Sequence, residues 1–293
     1  MPSFDTPEPI SVTLEFDIGF ARVVGGARTD TVVEVLPTNG AEDADVRAAQ
    51  ETRVTYNGGA LLVKGARKRS LFGRPGSVDI VVEVPAGSDV RGTTALGDIS
   101  CEGRLGECRI RTAAGAIHVE EAAAVHLRSS YGDIRVRRVG HDADVTGAGQ
   151  IEVGTVGGAA AVKNGNGDTT IGEIAGELQV SASNGGITVG VAHAGVEAKS
   201  AFGSIRVGDV ARGRALLRTA AGDVEVGIRG TTAAWLDVHT SLGSIRNSLT
   251  PSDGPGEGKE TVEVRARTSL GDIIVRRPDA GVTGTAAAAK GQR

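Results

Sequence analysis

Five aspartates are the side chains best placed to do chemistry: Asp98, Asp133, Asp168, Asp223 and Asp272, each one residue after a glycine. Carboxylates in one register along a chain can bind calcium, or act as acid and base on a polysaccharide. The series is interrupted, because Ala116 and Gln150 occupy intervening places. In a stacked structure that leaves neighbouring carboxylates ~10 Å apart, too far to share a small cation. The expected role is local, since an Asp beside a turn bonds a turn amide. Asn164-Gly165-Asn166-Gly167-Asp168 looks like one copy of a calcium-binding nonapeptide, but it has no tandem partner.

Other reactive types are scattered. Cys101 and Cys108 are seven apart with no CxxC, and Cys101 falls on an inward position where cysteine acts as a small hydrophobe. His118, His126, His141, His193 and His239 share no ligand spacing and read as surface or turn residues. No phosphate loop, dinucleotide fingerprint or nucleophile elbow occurs, so no catalytic, cofactor-binding or metal-binding residue is assigned and no cofactor is expected. The basic stretch with Arg67, Lys68, Arg69 and Phe72 is the candidate partner-binding segment, suited to an anionic membrane surface or an acidic protein. Tyr131 and Trp235 are expected to pack beneath loops.

What positions these residues is a repeat. Glycines recur roughly every 18 residues: Gly97, Gly115, Gly132, Gly149, Gly167, Gly185, Gly203, Gly222, Gly243 and Gly271. The last interval is longer because Pro251 to Lys259 interposes a loop rich in Gly and Pro. After each glycine comes an alternating pair such as Ile117/Val119, Ile134/Val136, Ile187/Val189 or Ile205/Val207, with polar residues between. Ile245/Asn247 occupies the same place late in the series. Period two puts the aliphatic set inside and the polar set in solvent. A second turn follows most of these strands, then a second short strand. The pattern predicts about ten coils of about 18 residues, two short strands each, stacked in parallel as a β-solenoid. Glycine suits the corners because positive φ is nearly free for it. A six-residue aliphatic template fails, since the sixth residue after Ile134 is Gly140.

Composition agrees. Aromatics are 3% and glycines number 44, as suits coils that enclose only a narrow aliphatic seam. A net charge of −4 gives no electrostatic case for nucleic acid. Residues 1–90 read as an antiparallel β cap, with Asn57-Gly58 as a hairpin turn and Ala41 to Gln50 as a short helix. Residues 91–278 form the solenoid and 279–293 a disordered tail. No signal peptide or membrane span is read from the sequence, so a cytoplasmic location is expected. Self-association through the end coil is a further expectation.

The units TALGDI (Thr94–Ile99), SSYGDIRV (Ser129–Val136), SAFGSIRV (Ser200–Val207), TAAGDVEV (Thr219–Val226) and TSLGDIIV (Thr268–Val275) resemble the bacterial DUF4097 family. Its members are also called toastrack β-repeat proteins or candidate adhesins. The Ala- and Arg-rich usage resembles that of actinobacterial members. The resemblance implies an all-β solenoid with a structural or binding role, often linked to cell-envelope stress, and it brings no catalytic residues. The expected function is a non-enzymatic scaffold that presents flat sheet faces to a protein or a membrane surface. The alternatives are a carbohydrate-active or carbohydrate-binding β-helix protein and an adhesin head.

Overall fold

The computed structural model describes residues 2–65, 76–251 and 260–278. Among these are 23 strands and one helix. The first part runs β1 (Ser3–Asp5), β2 (Ser11–Gly26), β3 (Asp30–Pro37), α1 (Asp43–Glu51), β4 (Arg53–Asn57), β5 (Ala60–Lys64) and β6 (Val78–Pro85). The long strands β7 (Asp89–Ala114) and β8 (Ile117–Tyr131) follow. Then come β9 (Ile134–Val139), β10 (Ala143–Gly147), β11 (Ile151–Val156), β12 (Ala160–Asn166), β13 (Thr169–Ile174), β14 (Leu178–Asn184) and β15 (Ile187–Ala192). The described elements conclude with β16 (Val196–Phe202), β17 (Ile205–Val210), β18 (Gly213–Ala221), β19 (Val224–Ile228), β20 (Ala233–Leu242), β21 (Ile245–Asn247), β22 (Thr261–Leu270) and β23 (Ile273–Arg276).

The architecture is the expected parallel β-solenoid. Strands two apart in sequence pair in parallel, β10 with β12, β12 with β14, β14 with β16 and β16 with β18. A second sheet follows the same rule through β9, β11, β13, β15, β17 and β19. The long strands β7 and β8 turn the corner and serve both sheets. Register is strict: Ile117, Ile134, Ile151, Thr169, Ile187, Ile205 and Val224 are successive partners. Except for Thr169 they form an aliphatic ladder, and all seven are buried. A one-residue slip would move that ladder into solvent, so the alternation itself fixes the pairing.

The ends depart from simple succession. β2 is already a full rung, parallel to β7 on one side and to β5 and β6 on the other. The parallel stack therefore runs past residue 90 into the N-terminal region. The antiparallel cap consists of β3 on β6, β4 on β5 and β1 on β3, with α1 packed alongside. The short helix starts two residues later than expected, and the Asn57–Gly58 turn joins β4 to β5. At the other end β22 lies between β18 and β20. The chain passes to the outermost rung, β20 and β21, and returns to insert β22 and β23 beneath it. This corrects the inward placement of Ile245 and Asn247. Both are exposed, because among the described residues their rung is the outermost and β21 pairs only with β23. The 279–293 tail and the 252–259 part of the expected loop lie outside the described residues.

Candidate functional site

Three columns of side chains run along the first corner, and the rung geometry assigns each its residue type. The turn glycines stack directly. A Cβ on Gly222 would stand 2.5 Å from the carbonyl carbon and oxygen of Gly203, and φ at Gly222 is +141°. Gly97 and Gly149 lack positive φ, yet a Cβ there would meet the carbonyls of Gly19 and Gly132. Close approach of the rungs, more than backbone conformation, thus demands glycine throughout the column.

The aspartates behave as the local reading expects. Asp98 Oδ1 accepts from the Ala116 amide at 2.7 Å, Asp133 Oδ1 from Gln150 at 2.9 Å and Asp168 Oδ1 from Gly186 at 2.8 Å. Asp223 Oδ1 accepts from Asp272, and Asp272 Oδ1 from Ser244, both at 2.8 Å. Each carboxylate satisfies the first amide of the neighbouring rung. The Ser244 amide and hydroxyl hold the Asp272 carboxyl below its ordinary range. A Thr, Ser or Asn three residues before most of these glycines completes the corner, whereas Ala182 takes that place before Gly185. Ser129 Oγ donates to Gly115 O at 2.9 Å, Thr219 Oγ1 to Gly203 O at 2.9 Å and Thr240 Oγ1 to Gly271 O at 2.8 Å. The nonapeptide-like stretch is used in the same way. Asn164 is buried, and its amide nitrogen donates to Gly149 O, Gly167 O and Thr169 Oγ1.

The remaining reactive groups stay apart. Among the described residues no three His, Cys, Asp or Glu side chains gather in a metal-binding arrangement. His193 bonds Glu173 at 2.8 Å, and His126 lies 3.0 Å from Glu107. Cys101 and Cys108 are free and fully buried. Its neighbour Cys108 and desolvation push the Cys101 thiol well above its ordinary range, so it is protonated. Arg67, Lys68, Arg69 and Phe72 lie outside the described residues.

Two features escape the sequence reading. The first is a basic column on the outer face of the first sheet. Arg111, Arg128, Thr146, Lys163, Ser181, Lys199, Arg218, Arg267 and His239 are successive register partners. No carboxylate interrupts them. All six Arg and Lys are exposed. Lys199 pairs with Glu197, and Arg267 with Asp237 at 2.8 Å. The signal was present: a Lys or Arg precedes the Thr, Ser or Asn of six corners, as in Arg111-Thr112 and Lys163-Asn164. The second is an apolar ridge of residues that immediately precede the turn glycines. Leu96, Tyr131, Phe202, Leu270 and Leu242 are exposed, Tyr131 to 74% and Phe202 to 64%. Tyr131 and Trp235 were expected beneath loops. Instead Tyr131 projects from the bare corner, and Trp235 is 57% exposed on the last rung, with the Arg265 guanidinium 5.9 Å from its ring centre.

Residues 42–279 match the family model of the toastrack domain, DUF4097. The chain belongs to the toastrack family. Solved structures similar to it include a candidate adhesin from Bacteroides fragilis, 11% identical, covering 94% of this chain and 95% of that one with a TM-score of 0.39. A candidate cell adhesion protein from Clostridium sporogenes is 11% identical over 94% of this chain and 98% of that one, with a TM-score of 0.23. A candidate adhesin from Parabacteroides distasonis is 10% identical over 93% and 95%, with a TM-score of 0.30. No curated protein matches the chain. Among the described residues no helix is long and apolar enough to cross a membrane.

Proposed function

We propose that this toastrack protein is a non-enzymatic binding scaffold whose working surface is the basic face of the first sheet. One observation carries the reading: the carboxylate-free column from Arg111 to His239. Like charges stacked on adjacent strands, as at Arg111/Arg128 and Arg218/Arg267, cost stability. Carboxylates pair with charges elsewhere on the rod. Glu225, despite the penalty of partial burial, is held below its ordinary range by Arg276 and Arg206, each 2.7 Å away. The basic column has no such partner along most of its length, which is the expected state of a surface that an acidic partner neutralises. The register aspartates already accept bonds from rung amides. The setting proposed is the cytoplasm, where two free thiols persist unoxidised, and a link to envelope stress belongs to the same proposal.

The test is capture from native lysate, separated into soluble and membrane fractions, by the wild-type protein and by an Arg111→Ser/Arg128→Ser/Lys163→Ser variant. Wild-type capture that the variant loses supports the scaffold reading. Equal recovery by both, or none by either, refutes the assignment of this face.

A further inference from the structure

From the basic column together with the apolar ridge beside it, we infer that the rod lies along an anionic lipid bilayer, with the corner residues seated in the headgroup region. The inference rests on the scaffold reading above and names its partner. The column and the ridge run parallel, since both follow the rung register. Only three positions separate Arg128 from Tyr131, Lys199 from Phe202, Arg267 from Leu270 and His239 from Leu242. Between them stand small residues such as Ser130, Ala201, Ser269 and Ser241, so neither stripe shields the other.

The chemistry of the two stripes selects lipid over a purely polar polyanion. The basic column spans nine rungs, roughly 38 Å at ~4.8 Å per rung, in one straight row. A row of that length meets many headgroups of a flat anionic surface at once. A purely polar polyanion would leave solvent-exposed Tyr131, Phe202, Leu270 and Leu242 uncovered. Aromatic and aliphatic side chains at the edge of a basic surface are what the headgroup zone accepts, with the ring in the boundary and the cations over the phosphates. The polar pair Asn166 and Asn184 interrupts the ridge, leaving Leu96 and Tyr131 on one side and Phe202, Leu270 and Leu242 on the other. The second face differs: its turn-adjacent column is acidic, through Asp98, Asp133, Asp168, Asp223 and Asp272. Only one side of the slab is therefore suited to the bilayer.

The experiment is cosedimentation of the full chain with vesicles of equal parts phosphatidylglycerol and phosphatidylcholine, and with phosphatidylcholine alone. Binding to the anionic vesicles is expected, and it should weaken as salt is raised. Each surface cation contributes about fivefold to such binding, so Arg111→Ala/Arg128→Ala/Lys163→Ala should bind on the order of 100-fold more weakly. Depth is read separately. With Tyr131→Trp in a Trp235→Phe background, the emission should shift to the blue on anionic vesicles only. All these positions are exposed, and circular dichroism confirms that each variant is folded. Absence of binding to anionic vesicles overturns the inference, as does binding that the triple variant retains, or a Trp at position 131 whose emission does not move. Should vesicles fail while lysate capture still depends on the column, the partner is an acidic protein; the lipid is then wrong and the scaffold reading stands.

Discussion

Replacing Gly222 by alanine tests the claim that rung spacing dictates the glycine column. The native φ of +141° is poor for an L residue and costs roughly 1–3 kcal/mol. The new methyl would stand 2.5 Å from the carbonyl of Gly203, where ordinary contact begins at 3.4 Å. Relieving that overlap means separating the rungs by about 1 Å, by simple geometry from ordinary packing distances. Besides the backbone bonds, two side-chain bonds cross this gap: Thr219 Oγ1 to Gly203 O at 2.9 Å, and the Asp223 amide to Ser204 Oγ at 3.0 Å. At about 0.5–1.5 kcal/mol each, their loss adds roughly 1–3 kcal/mol. The expected total is about 2–6 kcal/mol. Gly230→Ala is the control, because its φ is unremarkable and a Cβ there meets nothing within 4 Å. That change should stay within about 0.5 kcal/mol of wild type. Urea unfolding gives the global value. Because a solenoid can open locally, native-state hydrogen exchange should be read in parallel. A 3 kcal/mol effect would speed exchange of amides in β19 and β23 by roughly 100-fold. If Gly222→Ala and Gly230→Ala prove equally stable, close approach does not explain the column.

Three further outcomes follow from the same geometry. Ile134→Asp buries a charge between Ile117 and Ile151 with no partner, and should cost more than about 4 kcal/mol; a wild-type melting curve would refute the inward register. Asp272 has a depressed folded pKa, so its contribution is fully present above the ordinary aspartate range and disappears as pH falls through the folded value. Protection of the Ser244 amide should therefore decline on acidification in wild type, and Asp272→Asn should flatten that decline; identical pH profiles would argue against the carboxylate–amide bond. Cys101 and Cys108 should resist an aromatic disulfide reagent in the native protein and react promptly in denaturant, and rapid native labelling would contradict their burial.

The rung was legible in the sequence because two simple rules act on every copy. Period-two alternation marks the aliphatic face, as Ile187/Val189 and Ile205/Val207 show, and close stacking leaves room only for glycine at the corner. The local role of the aspartates followed from turn chemistry, although the amide they bond belongs to the neighbouring rung. Rung order at the ends was not legible. The unit before Gly243 and the unit before Gly271 carry the same TSLG motif, so local pattern cannot decide which of them docks on β18. A packing difference does separate them: Val264 and Ala266 of the inner rung are fully buried, whereas Leu236 and Val238 of the outer rung are only partly covered. The basic column went unread because attention to the strand after each glycine passes over the residue four places before it.

The inserted final rung also sets an order of assembly. Among the described residues β20 pairs only with β22, which the ribosome delivers later. Every rung from β10 to β19 can zip onto a finished predecessor as it emerges, but β20 and β21 must wait for some twenty more residues before they acquire a neighbour. A chain stopped after Asn247 would not be a shorter rod with a neat end. It would carry a stranded ribbon, and the free flank of β18 would be open to any strand that reached it first. Closure of this end is thus coupled to synthesis of β22 and β23, so a product terminated before them is distinguishable by its exposed sheet edge from one that carries them.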